Sequence, residues 1–118
     1  MERFVSLRKT SDFGEVYRQG RSYGNRLLVM YVLEKGRDHC GRVGISVSKK
    51  VGNSVVRHRI KRLIRESFRR NLLCWNADYD YVVVVRRDAA DKGYREIESA
   101  LMHLGRRHNV FNVKGDEV

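Results

Sequence analysis

The chain has 118 residues, with 25 Lys or Arg against 14 Asp or Glu and a formal net charge of +11. That length fits a single domain, 1–118, able to bury about two-thirds of its extended surface, and 42% apolar residues argue against disorder. The longest apolar run, Leu27 to Leu33, has seven residues, against the ~20 of a membrane helix. No apolar stretch follows Met1-Glu2-Arg3-Phe4 to make a signal peptide. Cys40 and Cys74 make neither a disulfide framework nor a metal-knuckle spacing, and read as buried thiols. The expectation is a reduced, soluble, cytoplasmic protein with a polyanionic partner.

Along the chain, Thr10-Ser11-Asp12 reads as a helix start, with Phe13, Val16 and Tyr17 at i, i+3, i+4 and Gly20 as the stop, which predicts a helix over about 11–19. Residues 27–33 read as a strand apolar on both faces. Residues 42–48 alternate: Val43, Ile45 and Val47 point one way, while Gly44, Ser46 and Ser48 make a small, polar second face. Lys49 to Asn53 is a loop whose Asn53 or Ser54 can cap a helix over 54–72, with Val56, Ile60, Leu63, Ile64 and Phe68 on its apolar side. Residues 79–85 are a third strand, and Tyr94, Ile97, Leu101 and Leu104 mark a helix over about 91–107. The segments 42–48, 54–72 and 79–85 make a βαβ unit with parallel strands. The order α-β-β-α-β-α predicts an α/β (α+β) sandwich around a small mixed sheet, its helices covering one face more than the other.

The charge is local. Residues 49–70 hold nine Lys or Arg and one acid, Glu66, so +8 of the +11 sits in 22 residues. Single-sign clustering costs stability through self-repulsion, which favours a binding role over a solvated face. At ~100° per residue, His58, Lys61, Arg62, Arg65 and Arg69 share one arc, opposite the apolar side. Glu66, at i+4 from Arg62 and i−4 from Arg70, is placed for local ion pairs. Arginine on successive turns matches a phosphate track, and its stacking and bidentate geometry favour RNA. The amides of Gly52, Asn53 and Ser54 offer an anion site at the helix start. Phe13, Tyr17 and Tyr31 could stack unpaired bases if they share a groove, although aromatics on a short helix are more often core residues.

The run GISVSKKVGNSVVRHRIKRLIRESFR (44–69) closely resembles the signature of the bacterial ribonuclease P protein component. The resemblance extends over nearly the whole chain, including Leu7, Asp12-Phe13, Val16-Tyr17, Gly20-Arg21 and the strand ending Tyr31-Val32-Leu33. It implies a protein that assists a catalytic RNA in removing the 5′ leader of precursor tRNA. The magnesium ions of the chemistry would be held by the RNA, and no cofactor or metal by the protein. It also implies an α/β sandwich with a left-handed crossover between parallel strands, against the general right-handed rule. The family's Arg-Asn-Arg helix motif falls on Arg57, His58 and Arg59 and continues through Lys61, Arg62, Arg65 and Arg69. With Lys49, Lys50 and Asn53, these would face the catalytic RNA. The family's cleft for the single-stranded leader would use Phe13, Tyr17 and Tyr31, with Ser46 and Ser48 on the small strand face. One departure is His58, where the motif has Asn: neutral His offers one donor and one acceptor, His⁺ only donors, so that contact could become pH-sensitive near pH 6–7.

Rival readings are weaker. A metal-dependent nuclease needs clustered carboxylates; Asp78 and Asp80 read instead as a strand start, and Asp88 and Asp91 as helix caps. His103 and His108, five apart, do not share a helical face for zinc, and His39-Cys40 stands isolated in a turn. A DNA-binding helix-turn-helix lacks its second helix. A structural RNA-binding protein shares the charge but not the 44–69 signature.

Overall fold

The computed structural model describes residues 4–112. The chain runs β1 (Phe4–Ser6), α1 (Thr10–Gln19), β2 (Arg21–Gly24), β3 (Leu28–Glu34), β4 (Gly41–Ser46), α2 (Ser54–Arg70), β5 (Tyr79–Val85) and α3 (Tyr94–His108), with 3-10 turns at Leu72–Cys74 and Arg87–Ala89. Five strands form one mixed sheet in the order β1-β4-β5-β3-β2. β1, β4 and β5 are parallel neighbours, while β3 is antiparallel to β5 and to β2. The expected βαβ unit is therefore present as β4-α2-β5, and the mixed α+β architecture holds.

Strand alternation divides the core in two. Met30 and Val32 of β3, Val43 of β4, and Tyr81, Val83 and Val85 of β5 face α2 and α3. Val82, Val84 and Tyr31 face α1 with Leu7 and Val16. Two helices thus cover one face and a single ten-residue helix covers part of the other. α2 earns its place by the spacing of Ile60, Ile64 and Phe68, all fully buried at i, i+4, i+8. Phe68 is the hub of an aromatic cluster, with ring centroids 4.6 Å from Trp75, 5.9 Å from Tyr81 and 6.3 Å from Phe4.

Several local expectations change. Helix α1 starts at Thr10 with Lys9 in the cap position and no side-chain cap bond. Gly20 does end it, but in extended backbone; a Cβ there would lie 2.6 Å from Val16 O and 2.8 Å from Val32 O, so close approach, not left-handed geometry, requires glycine. Helix α2 stops at Arg70, because Asn71 leaves helical geometry and turns the chain into Leu72–Cys74. Helix α3 begins three residues later than expected, where the Glu96 carboxylate accepts the Gly93 N–H at 3.0 Å. β4 ends at Ser46, so Ser48 lies beyond the strand, its hydroxyl accepting the Lys50 N–H at 3.3 Å. Cys40 and Cys74 are exposed, not buried.

Asp80 departs most. It is fully buried in central strand β5, with its carboxylate gripped bidentately by Arg42 (Nε 3.0 Å, Nη2 2.6 Å) and by His39 Nε2 at 2.6 Å. Arg42 also donates to Asp12 of α1 at 3.1 Å. The pair raises the Arg42 pKa, the Asp80 hydrogen bond outweighing the opposing effect of burial. Asp80 thus lies at the entry of β5, as its second residue, and also anchors α1 to the sheet. His108 is buried too, donating Nε2–H to Met30 O at 2.9 Å, and burial lowers its pKa.

Candidate nucleic-acid interface

The outer side of α2 carries the charge. Asn53 caps the helix, its side chain accepting the Val56 N–H at 3.0 Å. Lys49 and Lys50 are exposed in the loop ahead of it, and His58, Arg62, Arg65 and Arg69 are exposed along it, with Lys61 half-buried. His58, Lys61, Arg62 and Arg65 together line a shallow hollow. Among the described residues, no acid pairs with these four: Glu66 is held by Arg69 and by Arg70 (Nε 2.9 Å), and Arg62 is left out of the expected pairing. Hydrogen bonds from Arg69 and Arg70 lower the Glu66 pKa, so this acid stays ionised and already matched.

Two arginines of the motif point elsewhere. Arg57 donates to Gly52 O at 3.2 Å and braces the loop before the helix. Arg59 donates to Ala90 O and to Lys92 O, both at 2.9 Å, tying α2 to the approach of α3. Arg70 stacks on Tyr94, 4.6 Å from the ring centroid. Of the ten site residues named from sequence, those without a side-chain partner narrow to His58, Lys61, Arg62 and Arg65, with Lys49 and Lys50 at one end.

The opposite sheet face carries the aromatics. Phe13 and Tyr17 on α1 have ring centroids 6.4 Å apart, and Tyr17 meets Tyr31 of β3 edge-on at 4.9 Å. The three therefore form one continuous wall, with Tyr17 38% exposed at its lip. Phe13 sits there because of Gly44: a Cβ on Gly44 would lie 2.6 Å from the Phe13 ring. Beside the wall, the register lines up Ser46, Val84, Val29 and Gly24 across four strands, a floor of small residues. Arg86 closes it, Nη1 lying 3.9 Å from where a Gly24 Cβ would stand. Arg26, Arg86 and Arg87 gather there around Asp88, which pairs with Arg26 at 3.0 Å. Sequence reading missed this second basic group; the adjacent Arg86-Arg87 after an apolar strand is its only local signal.

Among the described residues, no group of three or more His, Cys, Asp or Glu side chains is placed to hold a metal ion, and no helix is long and apolar enough to cross a membrane. A cationic helix on one face of a small mixed sheet and an aromatic wall on the other place the chain in the class of small basic α/β proteins whose charge suits a polyanionic partner such as RNA. A sequence model of the ribonuclease P family matches residues 1–109. The ribonuclease P protein component of Lachnoclostridium phytofermentans is 53% identical over 107 residues, covering 91% of each chain, and that of Clostridium botulinum is 50% identical, covering 90% of this chain and 96% of its own. The ribonuclease P protein of Staphylococcus aureus superposes with a TM-score of 0.82 at 40% identity, covering 91% of this chain and 97% of its own. That of Thermotoga maritima gives 0.77 at 30%, covering 86% and 96%. The chain belongs to the ribonuclease P protein family, and so is a protein subunit of the tRNA-processing ribonucleoprotein ribonuclease P.

Proposed function

We propose that α2 and the loop before it bind the catalytic RNA, while the aromatic trough grips the single-stranded 5′ leader of precursor tRNA. The observation that carries this is the segregation of the two surfaces by one sheet, with β4 contributing Ser46 to the trough and then running directly into Lys49, Lys50 and α2. Unpaired bases stack on Phe13, Tyr17 and Tyr31 above the small-residue floor, and Arg86 meets a leader phosphate. Lys61, Arg62 and Arg65 neutralise phosphates of the folded RNA, with His58 donating beside them. Hydrolysis belongs to the RNA and its magnesium ions; this chain binds, orients and positions, in the bacterial cytoplasm. No DNA and no membrane enters this scheme.

The direct test is cleavage of precursor tRNA with and without the RNA subunit. Protein alone should be inactive, and should enable the RNA at low magnesium; cleavage by RNA-free protein would overturn the reading. Arg65→Ala should weaken binding to the RNA subunit and reduce the slope of log affinity against log salt by about one contact, measured by titration at several salt concentrations. An unchanged slope would remove Arg65 from the phosphate track. Tyr17→Ala or Tyr31→Ala should cost about 1–3 kcal/mol in precursor binding. The loss should vanish for tRNA without a leader; equal losses on both substrates would refute the trough assignment.

A further inference from the structure

Beside the basic face lies a second hollow, of about 310 Å³, between β1, β4 and α2. That is the lower end of the size range of small-molecule sites, about 300–1,000 Å³. Its floor is apolar: Phe4, Val43, Ile45 and Phe68. Its rim is cationic. Arg62 and Arg65 stand on it, and Glu66, the one acid among its described lining residues, is occupied by Arg69 and Arg70. Arg62 and Arg65 also line the polar hollow shared with His58 and Lys61. The same two guanidinium groups therefore separate an apolar chamber from an open cationic trough.

We propose that this chamber receives one unpaired base of the RNA bound along α2. An RNA strand is the ligand whose chemistry fits both compartments at once. Its phosphates lie in the trough, and a base turned aside enters the chamber, flat against the apolar floor with an arginine plane at the rim. A paired base cannot make the contact, because its faces are stacked and its edge is used, so the chamber selects a bulge, loop or junction nucleotide. An apolar peptide would leave Arg62 and Arg65 without anionic partners. This inference rests on α2 being the face that binds RNA, and it adds a sequence- or structure-selective element to what phosphate contacts alone leave non-specific.

The test uses the full chain with methyl-labelled Ile and Val, titrated with adenosine 5′-monophosphate. Ile45 and Val43 report on the chamber, and Val84 and Val29 on the opposite face. Saturable shifts at Ile45 and Val43 are expected. Ribose 5-phosphate, which has the phosphate but no base, should leave them in place. Equal responses to both probes, no response at Ile45 and Val43, or a stronger response there to decanoate than to the nucleotide would overturn the proposal, the last in favour of an acyl chain. Ser6→Trp, at the exposed mouth of the chamber, should abolish the nucleotide shifts while leaving the Val84 signal in place, which verifies the fold. It should also weaken binding to the RNA subunit about tenfold without changing the salt slope. Full-strength RNA binding by Ser6→Trp would sink the chamber and leave the α2 assignment standing; failure of the unmodified chain to bind the RNA would sink both.

Discussion

Asp80→Ala is expected to lower stability by about 3 kcal/mol, towards the lower end of the cost of breaking a buried ion pair. Arg42 keeps Asp12 and a solvent-exposed edge after the change, which limits the penalty. The measurement is urea unfolding, where the midpoint should fall with little change in slope. Asp80→Asn should recover little, since an amide preserves the shape but cannot balance the Arg42 charge. The functional consequence is specific. The Asp80–Arg42–Asp12 chain fastens the start of α1, and α1 carries Phe13 and Tyr17. Discrimination between precursor and leaderless tRNA should therefore shrink in Asp80→Ala, while affinity for the RNA subunit holds. A variant with unchanged stability would show that the pair only balances its own desolvation.

Phe68→Ala should cost about 3–5 kcal/mol, the range for deleting a buried aromatic ring. Three rings lose their partner at once, and Trp75 and Tyr81 are too enclosed to refill the space. Folded domains hold only about 5–15 kcal/mol in reserve, so the midpoint of unfolding should fall steeply. Phe68→Leu should restore more than half of the loss. If Phe68→Ala left the midpoint near its starting value, the aromatic cluster would not be what seats α2 on the sheet. Arg65→Ala is the contrast within the same helix: it should change RNA binding and leave stability nearly untouched.

Periodicity made the long elements legible. β5 lies where YDYVVVV predicts it, and α2 is displaced only at its last turn, where Asn71 offers no periodic clue. β1 and β2 escaped because each shows too few buried positions to set a pattern: Phe4 alone in β1, and a half-buried Tyr23 in β2. Missing β1 also hid the apolar chamber, since Phe4 forms part of its floor. The aromatic wall was visible as residue types but not as a contact, because Tyr31 reaches Tyr17 only through the packing of α1 across β3. The ion pair of Asp80 escaped for a related reason. Its partners Arg42 and Asp12 lie on other elements far away in sequence, and an acid ahead of a valine run looks like a boundary.

The strut made by Arg59 changes how mutational maps of this helix must be interpreted. Its guanidinium spans from α2 to the carbonyls of Ala90 and Lys92. Removing it frees two acceptors and uncouples the helix from the segment leading into α3. On the proposed assignment of α2 to the RNA, an alanine scan scored only by RNA affinity would rank Arg59 beside Arg65, one failing through a loosened scaffold and the other through a lost phosphate. Salt dependence separates them: the first shifts the whole line downward, the second tilts it.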